Sequence, residues 1–354
     1  MRLSLMNISF IITTYNSMHY IDRIINNINN QFLNLHSYDG IEIILVDDGS
    51  TDNTLEVIQK TFSLHPFVKI ISNTQNFGPG NARNRGLDNA TGCYVLFLDA
   101  DDIYHPQLFS LCSRLAPEIN LDILIFKATR LHSVANVTTD IHYPIFDKFD
   151  PGQVFSAKDI ENSVFDSATW WSWDRLIRRQ FILENDIKFP DIPSSEDLFF
   201  NSSLFLLASS ISYIDVKLIT YVENESNSVS STREFSAECC ISAVQMLKDF
   251  LISRGLFLAR RADFLNYLIS FLNWHLESIN GVAYFQLFDA VKFFFIENIE
   301  NSDELLYQEK QTYEYLVSVN AHEYLIFLKN KFYAEKDLLA RVNASLTKQI
   351  NKRA

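Results

Sequence analysis

Three short polar clusters each follow an apolar run and carry side chains able to do chemistry: Thr14-Tyr15-Asn16, Asp47-Asp48 and Asp99-Ala100-Asp101. Carboxylates one residue apart, as in Asp99 and Asp101, can share a hard divalent cation through oxygen ligands. Standing alone, the same spacing is an ordinary acidic surface turn. A fourth cluster, Ser194-Ser195-Glu196-Asp197, adds two acids. A carboxylate within reach of a hydroxyl can take its proton, while two acids in a first helical turn also simply complement the helix dipole. His19, His65, His105 and His275 form no metal or nucleophile constellation, and no Ser-His-Asp or Cys-His arrangement is identifiable from spacing.

The elements that must position these clusters follow from periodicity. Ile8 to Thr13 reads as a buried strand, and Ile21, Ile24, Ile25 and Ile28 form one apolar face of a helix. Ile41 to Val46 is the next strand, and the turn Asp47 to Asp52 can cap a helix carrying Leu55 and Ile58. Val68 to Ile71 is a third strand, Asn76 to Asn81 a glycine-containing loop into a helix, and Tyr94 to Leu98 a fourth strand. Strand and helix in alternation predict an α/β fold, a mostly parallel sheet with helices on both faces. Ligands of such sheets bind outside the carboxyl ends of the strands, where the first three clusters sit.

After Lys127 the pattern loosens, and residues 130 to 155 read as a strand-and-loop excursion. Trp170-Trp171-Ser172-Trp173 precedes a basic segment, Arg175 to Arg179. Ser194 and Ser195 are good caps for a helix through Phe199, Phe200 and Leu204. From about residue 236 the chain reads as successive helices broken at Gly255 and Gly281. The expected division is therefore 1–235 and 236–354, an α/β domain and an α-helical C-terminal extension. The tail, Tyr333 to Ile350, is amphipathic and ends in Lys348, Lys352 and Arg353, a combination that can lie on anionic lipid or pack against protein.

The composition is globular: 354 residues, 47% hydrophobic and 21% charged. A net charge of −13 argues against a nucleic-acid partner, which calls for a basic surface. It leaves room for a phosphorylated ligand, because a metal ion and helix N-termini can neutralise a diphosphate locally. Cys93, Cys112, Cys239 and Cys240 show neither zinc spacing nor a disulfide framework, so reduced thiols and a cytoplasmic setting are expected. No secretory signal is read at Ile8 to Ile12, and no run of about 18 apolar residues suggests a spanning helix.

Five stretches in order resemble the family 2 inverting glycosyltransferases of bacterial surface-polysaccharide synthesis. They are Ile11 to Asn16, Val46 to Asp52, Asn76 to Gly86, Phe97 to Asp102 and Ser195 to Phe200. The resemblance covers roughly residues 7 to 230. It implies a GT-A fold and transfer of a sugar from a nucleotide-sugar, a UDP-sugar above all, to a hydroxyl of a glycan or lipid-linked glycan, with inversion. Lipopolysaccharide or capsule synthesis at the inner face of the plasma membrane is the implied setting. Peripheral membrane contact and a homo-oligomer are compatible with it.

The resemblance also implies roles. Asp101 would ligate Mn²⁺ or Mg²⁺ directly, with Asp99 on ribose or metal-bound water. Tyr15, beside Thr14, would stack on uracil, and Asp48 would accept the ring N–H; packing beneath the sheet and helix capping are their structural alternatives. Arg83 would hydrogen-bond base or phosphate, whereas Arg85 reads as exposed. Asp197, beside Glu196, would be the catalytic base. Trp171 or Trp173 would face an acceptor sugar or pack in the core, and Arg175 stands where the family usually has lysine. In the closing loop, Tyr221 to Ser231, Val222 occupies the usual arginine position and no histidine follows, so either Arg233 substitutes as the cation or the loop works differently. The competing readings are an inactive nucleotide-sugar-binding module and a helical scaffold protein.

Overall fold

A computed structural model describes residues 7–35, 40–116, 118, 120–223, 229–334 and 336, without side chains at 229–232. The chain forms two compact units, Met1–Asp263 and Phe264–Ala354. In the first unit, β1 (Ile8–Thr14), α1 (Ile21–Asn34), β2 (Ile41–Asp47), α2 (Thr54–Phe62), β3 (Val68–Ser72), α3 (Pro79–Asp88) and β4 (Tyr94–Asp99) realise the expected alternation. Then come β5 (Ile103–Tyr104), α4 (Leu108–Leu115), β6 (Ile123–His132), β7 (Val137–Asp140), β8 (Arg175–Arg178), α5 (Arg179–Asn185), α6 (Glu196–Leu207), β9 (Ile211–Glu223) and α7 (Cys239–Ser253).

Among the described residues one sheet runs β3-β2-β1-β4-β8-β6-β9-β5, with β7 paired to β6. β3, β2, β1 and β4 are mutually parallel, as are β6 and β9; β8 inserts antiparallel between β4 and β6. Register fixes the site. Thr14 pairs with Asp47, Thr13 with Asp99, and Asp47 with Ser72, so the polar clusters end level on one edge.

Alternation along each strand sorts the core into two layers. Ile8, Phe10 and Ile12 of β1 pack with Ile24 and Ile28 of α1, Phe62 of α2 and Phe109 of α4. Ile11 points the other way, toward α3. A Cβ at Gly86 would lie 2.3 Å from Ile11 Cγ2, so this glycine is what lets α3 lie against β1. Phe97 of β4 meets Phe200 of α6 edge-on at 5.6 Å on this second face.

The second unit holds most of α8 (Phe257–Ser278), then α9 (Gly281–Asn298), α10 (Tyr307–Ser318) and a helix at 321–334. Gly255 (φ +68°) and Gly281 (φ +66°) stand at the expected breaks. The expected boundary at 235 and the compact division differ by α7 and the start of α8. The tail beyond 336, with Lys348, Lys352 and Arg353, lies outside the described residues. Among the described residues no helix is long and apolar enough to cross a membrane, and the four cysteines are free thiols.

Candidate active site

The Asp99–Asp102 turn is held from behind by α1. Arg23, Asn27 and Gln31, four residues apart on one helical face, donate to the carbonyls of Asp101 (2.5 Å), Asp102 (2.8 Å) and His105 (2.9 Å). Asn27 Oδ1 and Gln31 Oε1 accept in return from the amides of Tyr104 and Phe109. Asn27 and Gln31 are buried. The sequence reading saw only the apolar face of this helix; a four-residue polar spacing beside it was the available signal.

Three carboxylates result. Ligand oxygens of Asp99, Asp101 and Asp102 all lie within 4.8 Å of one another. Asp102, which the sequence reading left without a role, is almost fully buried. Its Oδ1 accepts from the Val222 amide at 3.0 Å, and its Oδ2 has no hydrogen-bond partner among the described residues. Burial, reinforced by Asp101 and Asp99, pushes its pKa well above the usual carboxylate range. An orphaned buried oxygen beside two more carboxylates is a donor set that fits a hard divalent ion.

Arg83 joins this turn to α6. Its guanidinium donates to Asp99 Oδ1 at 2.7 Å and to Glu196 Oε1 at 2.5 Å, with Arg83 and Glu196 both buried. Arg83 thus spends two donor groups on carboxylates within the protein, a partner set different from the base or phosphate expected of it. Glu196 has its pKa raised by burial, opposed by Arg83. Asp197, half-buried beside it, is pushed up to about 7, first by burial and then by the charge of Glu196. Ser195 occupies the cap position of α6 at φ +63° but makes no side-chain cap hydrogen bond, contrary to expectation.

At the carboxyl end of β1, Tyr15 is 42% exposed and does not pack beneath the sheet. Asn16, at φ +45°, turns the chain there, and its Oδ1 accepts from the Thr51 amide at 2.8 Å. Thr14 is buried, its hydroxyl 3.5 Å from Asp47 Oδ1. Asp48 is buried and does not cap α2. Its carboxylate accepts from the amides of Phe77 and Gly78 (2.8 Å) and from Asn73 Nδ2 (2.6 Å), fixing the loop that opens α3. Gly78 holds that loop's φ of +91°. Arg85 is turned to Asn73 Oδ1, not to solvent.

In the tryptophan segment, Trp173 is only 3% exposed and belongs to the core, whereas Trp171 is half-buried. Their rings stack at 5.0 Å, with Tyr221 nearly parallel to both. Asn201, one turn after Asp197, donates to Trp170 O (2.7 Å), Ser172 Oγ (2.9 Å) and Asp197 O (3.0 Å), tying the tryptophan loop to α6. Arg175 is fully buried and paired with Asp174 at 2.6 Å. Residues 224–228 of the closing loop lie outside the described residues. Arg233, beyond them, has its pKa lowered by burial and held up by Tyr221 and Asp197.

Known proteins resemble this chain in sequence and in fold. The chain is 31% identical over 218 residues to the cholesterol galactosyltransferase of Borreliella burgdorferi, covering 59% of this chain and 58% of that one. It is 26% identical over 274 residues to the poly(ribitol-phosphate) beta-N-acetylglucosaminyltransferase TarS of Staphylococcus aureus, covering 75% of this chain and 45% of TarS. It thus spans about half the length of these relatives. The crystal structure of S. aureus TarS 1–349 in complex with UDP-GlcNAc superposes with a TM-score of 0.55 at 20% identity, over 88% of this chain and 90% of that one. This likeness identifies the fold as GT-A-like, with a mostly parallel sheet and a helical C-terminal region. Residues 9–143 match the model of Glycosyl transferase family 2. Those residues carry a glycosyl transferase family 2 domain.

Proposed function

We propose that this protein transfers a sugar from a nucleotide-sugar, probed first as UDP-sugars, to a hydroxyl of a cell-surface glycan, with inversion. Lipopolysaccharide and capsule are the acceptors to test first. The observation that carries the reading is the Arg83 bridge. It ties the Asp99 turn to the helix start bearing Asp197, so a cation-type donor set and a carboxyl poised near neutrality share one sheet edge.

In this mechanism Asp197 accepts the proton of the acceptor hydroxyl as that oxygen bonds the anomeric carbon. The bond from that carbon to the diphosphate oxygen breaks on the opposite face, and the nucleoside diphosphate leaves with the electron pair. Asp99, Asp101 and Asp102 would hold Mn²⁺ or Mg²⁺, which when bound offsets the charge on the leaving group. Arg83 holds Asp99 and Glu196 in place, and Tyr15 offers its exposed face to the base. Trp171 is the accessible ring for an acceptor sugar, with Trp173 as its support. Arg233, which senses the charge of Asp197, is the cation we assign to the closing-loop side.

The test is a panel of UDP-sugars assayed for UDP release with and without added Mn²⁺. Cation-dependent release of UDP from one donor is the expected result. Failure of the chain to bind UDP at all would overturn the reading.

A further inference from the structure

Helices normally meet through apolar ridges, and Leu268, Leu272 and Leu276 of α8 are buried in this way. The neighbouring face of α8 is different. With α10 and the 321–334 helix it encloses a polar cleft of about 210 Å³ in the second unit. This is smaller than the roughly 300–1,000 Å³ of sites for drug-sized ligands, a size for one ring.

The cleft's polar groups are already oriented. Glu277 Oε1 accepts from Asn273 Nδ2 at 3.0 Å and from Lys331 Nζ at 3.2 Å. The Asn273 amide is fixed from below, because the buried Tyr324 donates its hydroxyl to Asn273 Oδ1 at 2.6 Å. Across the cleft, the Ser270 hydroxyl donates to Glu309 Oε1 at 3.3 Å. Beside them Trp274 is 44% exposed.

These groups select a ligand class. Two carboxylates against one lysine disfavour an anion. An apolar ligand would strip water from amide and carboxylate groups without replacing it. A neutral pyranose satisfies both conditions, laying its C–H face on the indole while its hydroxyls donate to Glu277 and Glu309. We propose that this cleft is a subsite for a neutral pyranose, separate from the residues that carry the transfer chemistry. Such a subsite would hold a unit of the glycan acceptor, but the binding itself does not depend on the transferase reading.

The experiment titrates the full chain with methyl β-glucoside, methyl β-galactoside and methyl β-N-acetylglucosaminide, observed by saturation-transfer NMR and calorimetry. At least one should bind, with affinity on the order of millimolar. Trp274→Ala should weaken it at least about tenfold, and Glu277→Gln, which keeps the side chain's shape, should weaken it in the same direction. Binding of none of the three, or binding that survives both substitutions, would overturn the proposal. Melting curves guard against misfolded variants. UDP binding by the same samples reports on the transferase reading separately, so the two can fail independently.

Discussion

At the residue scale, Asp197 carries the sharpest expectation. Asp197→Asn keeps the side chain's shape but cannot accept a proton, so single-turnover transfer should fall by about 10²–10⁴ while calorimetric UDP affinity stays near wild type. Near-normal transfer would hand the role to another group. Because burial and Glu196 raise its pKa to about 7, the unprotonated base is depleted below that pH. Transfer should therefore rise with pH up to about 7 and level above it. The sign for stability is opposite. A carboxyl whose pKa is raised on folding holds more protons folded than unfolded, so the metal-free protein should lose stability as pH climbs from the ordinary carboxylate range toward 7. Asp197→Asn should flatten that slope. For Tyr15, whose ring is exposed at the sheet edge, replacement by alanine should weaken UDP binding by about 1–3 kcal/mol, the range for base–aromatic stacking. Unchanged calorimetric affinity would remove it from the base site.

At the element scale, what the sequence discloses depends on where a segment finds its partners. β1 and β2 are runs of largely β-branched residues, most of them buried, and β4 is a buried apolar run, so their identity is visible locally. β8 is not visible in this way. Its Arg175 and Arg178 look like surface residues until Asp174 and Asp122 pair them inside the fold. β9 is interrupted by exposed Asp215, Val216 and Lys217, which hides its two buried ends. The polar face of α1 escapes notice for the same reason, since Asn27 meets Asp102 across 75 residues of chain. Its contribution can be measured. Asn27→Leu leaves the Asp102 carbonyl and the Tyr104 amide unpaired in a buried place, a loss of about 1–3 kcal/mol for each group. The melting temperature should drop and divalent-cation binding should weaken with it. An unchanged melting curve would mean water takes the place of the amide.

At the scale of the whole molecule, α7 falls in the first compact unit, beyond the boundary expected at 235. Val244, Leu247 and Leu251 are fully buried in it, and Phe250 meets Phe199 of α6 edge-on at 5.9 Å. Each such side chain contributes about 1.5–3 kcal/mol. A chain ending at Phe235 should therefore unfold without a cooperative transition, whereas one ending at Asp263 should melt cooperatively and bind UDP. Equal melting of the two would support a boundary at 235. The Arg83 bridge has a further consequence, for the order of assembly. Arg83 and Asp99 emerge early in synthesis, but Glu196 follows Arg83 by 113 residues. Until α6 arrives, the guanidinium has one acid where the finished protein gives it two, and Asp197 is not present. Because domains form from the N-terminal end as they are made, the β1–β4 edge can take shape before α6 joins it. On the proposed reading, the reactive constellation then appears only when the fold around it has closed.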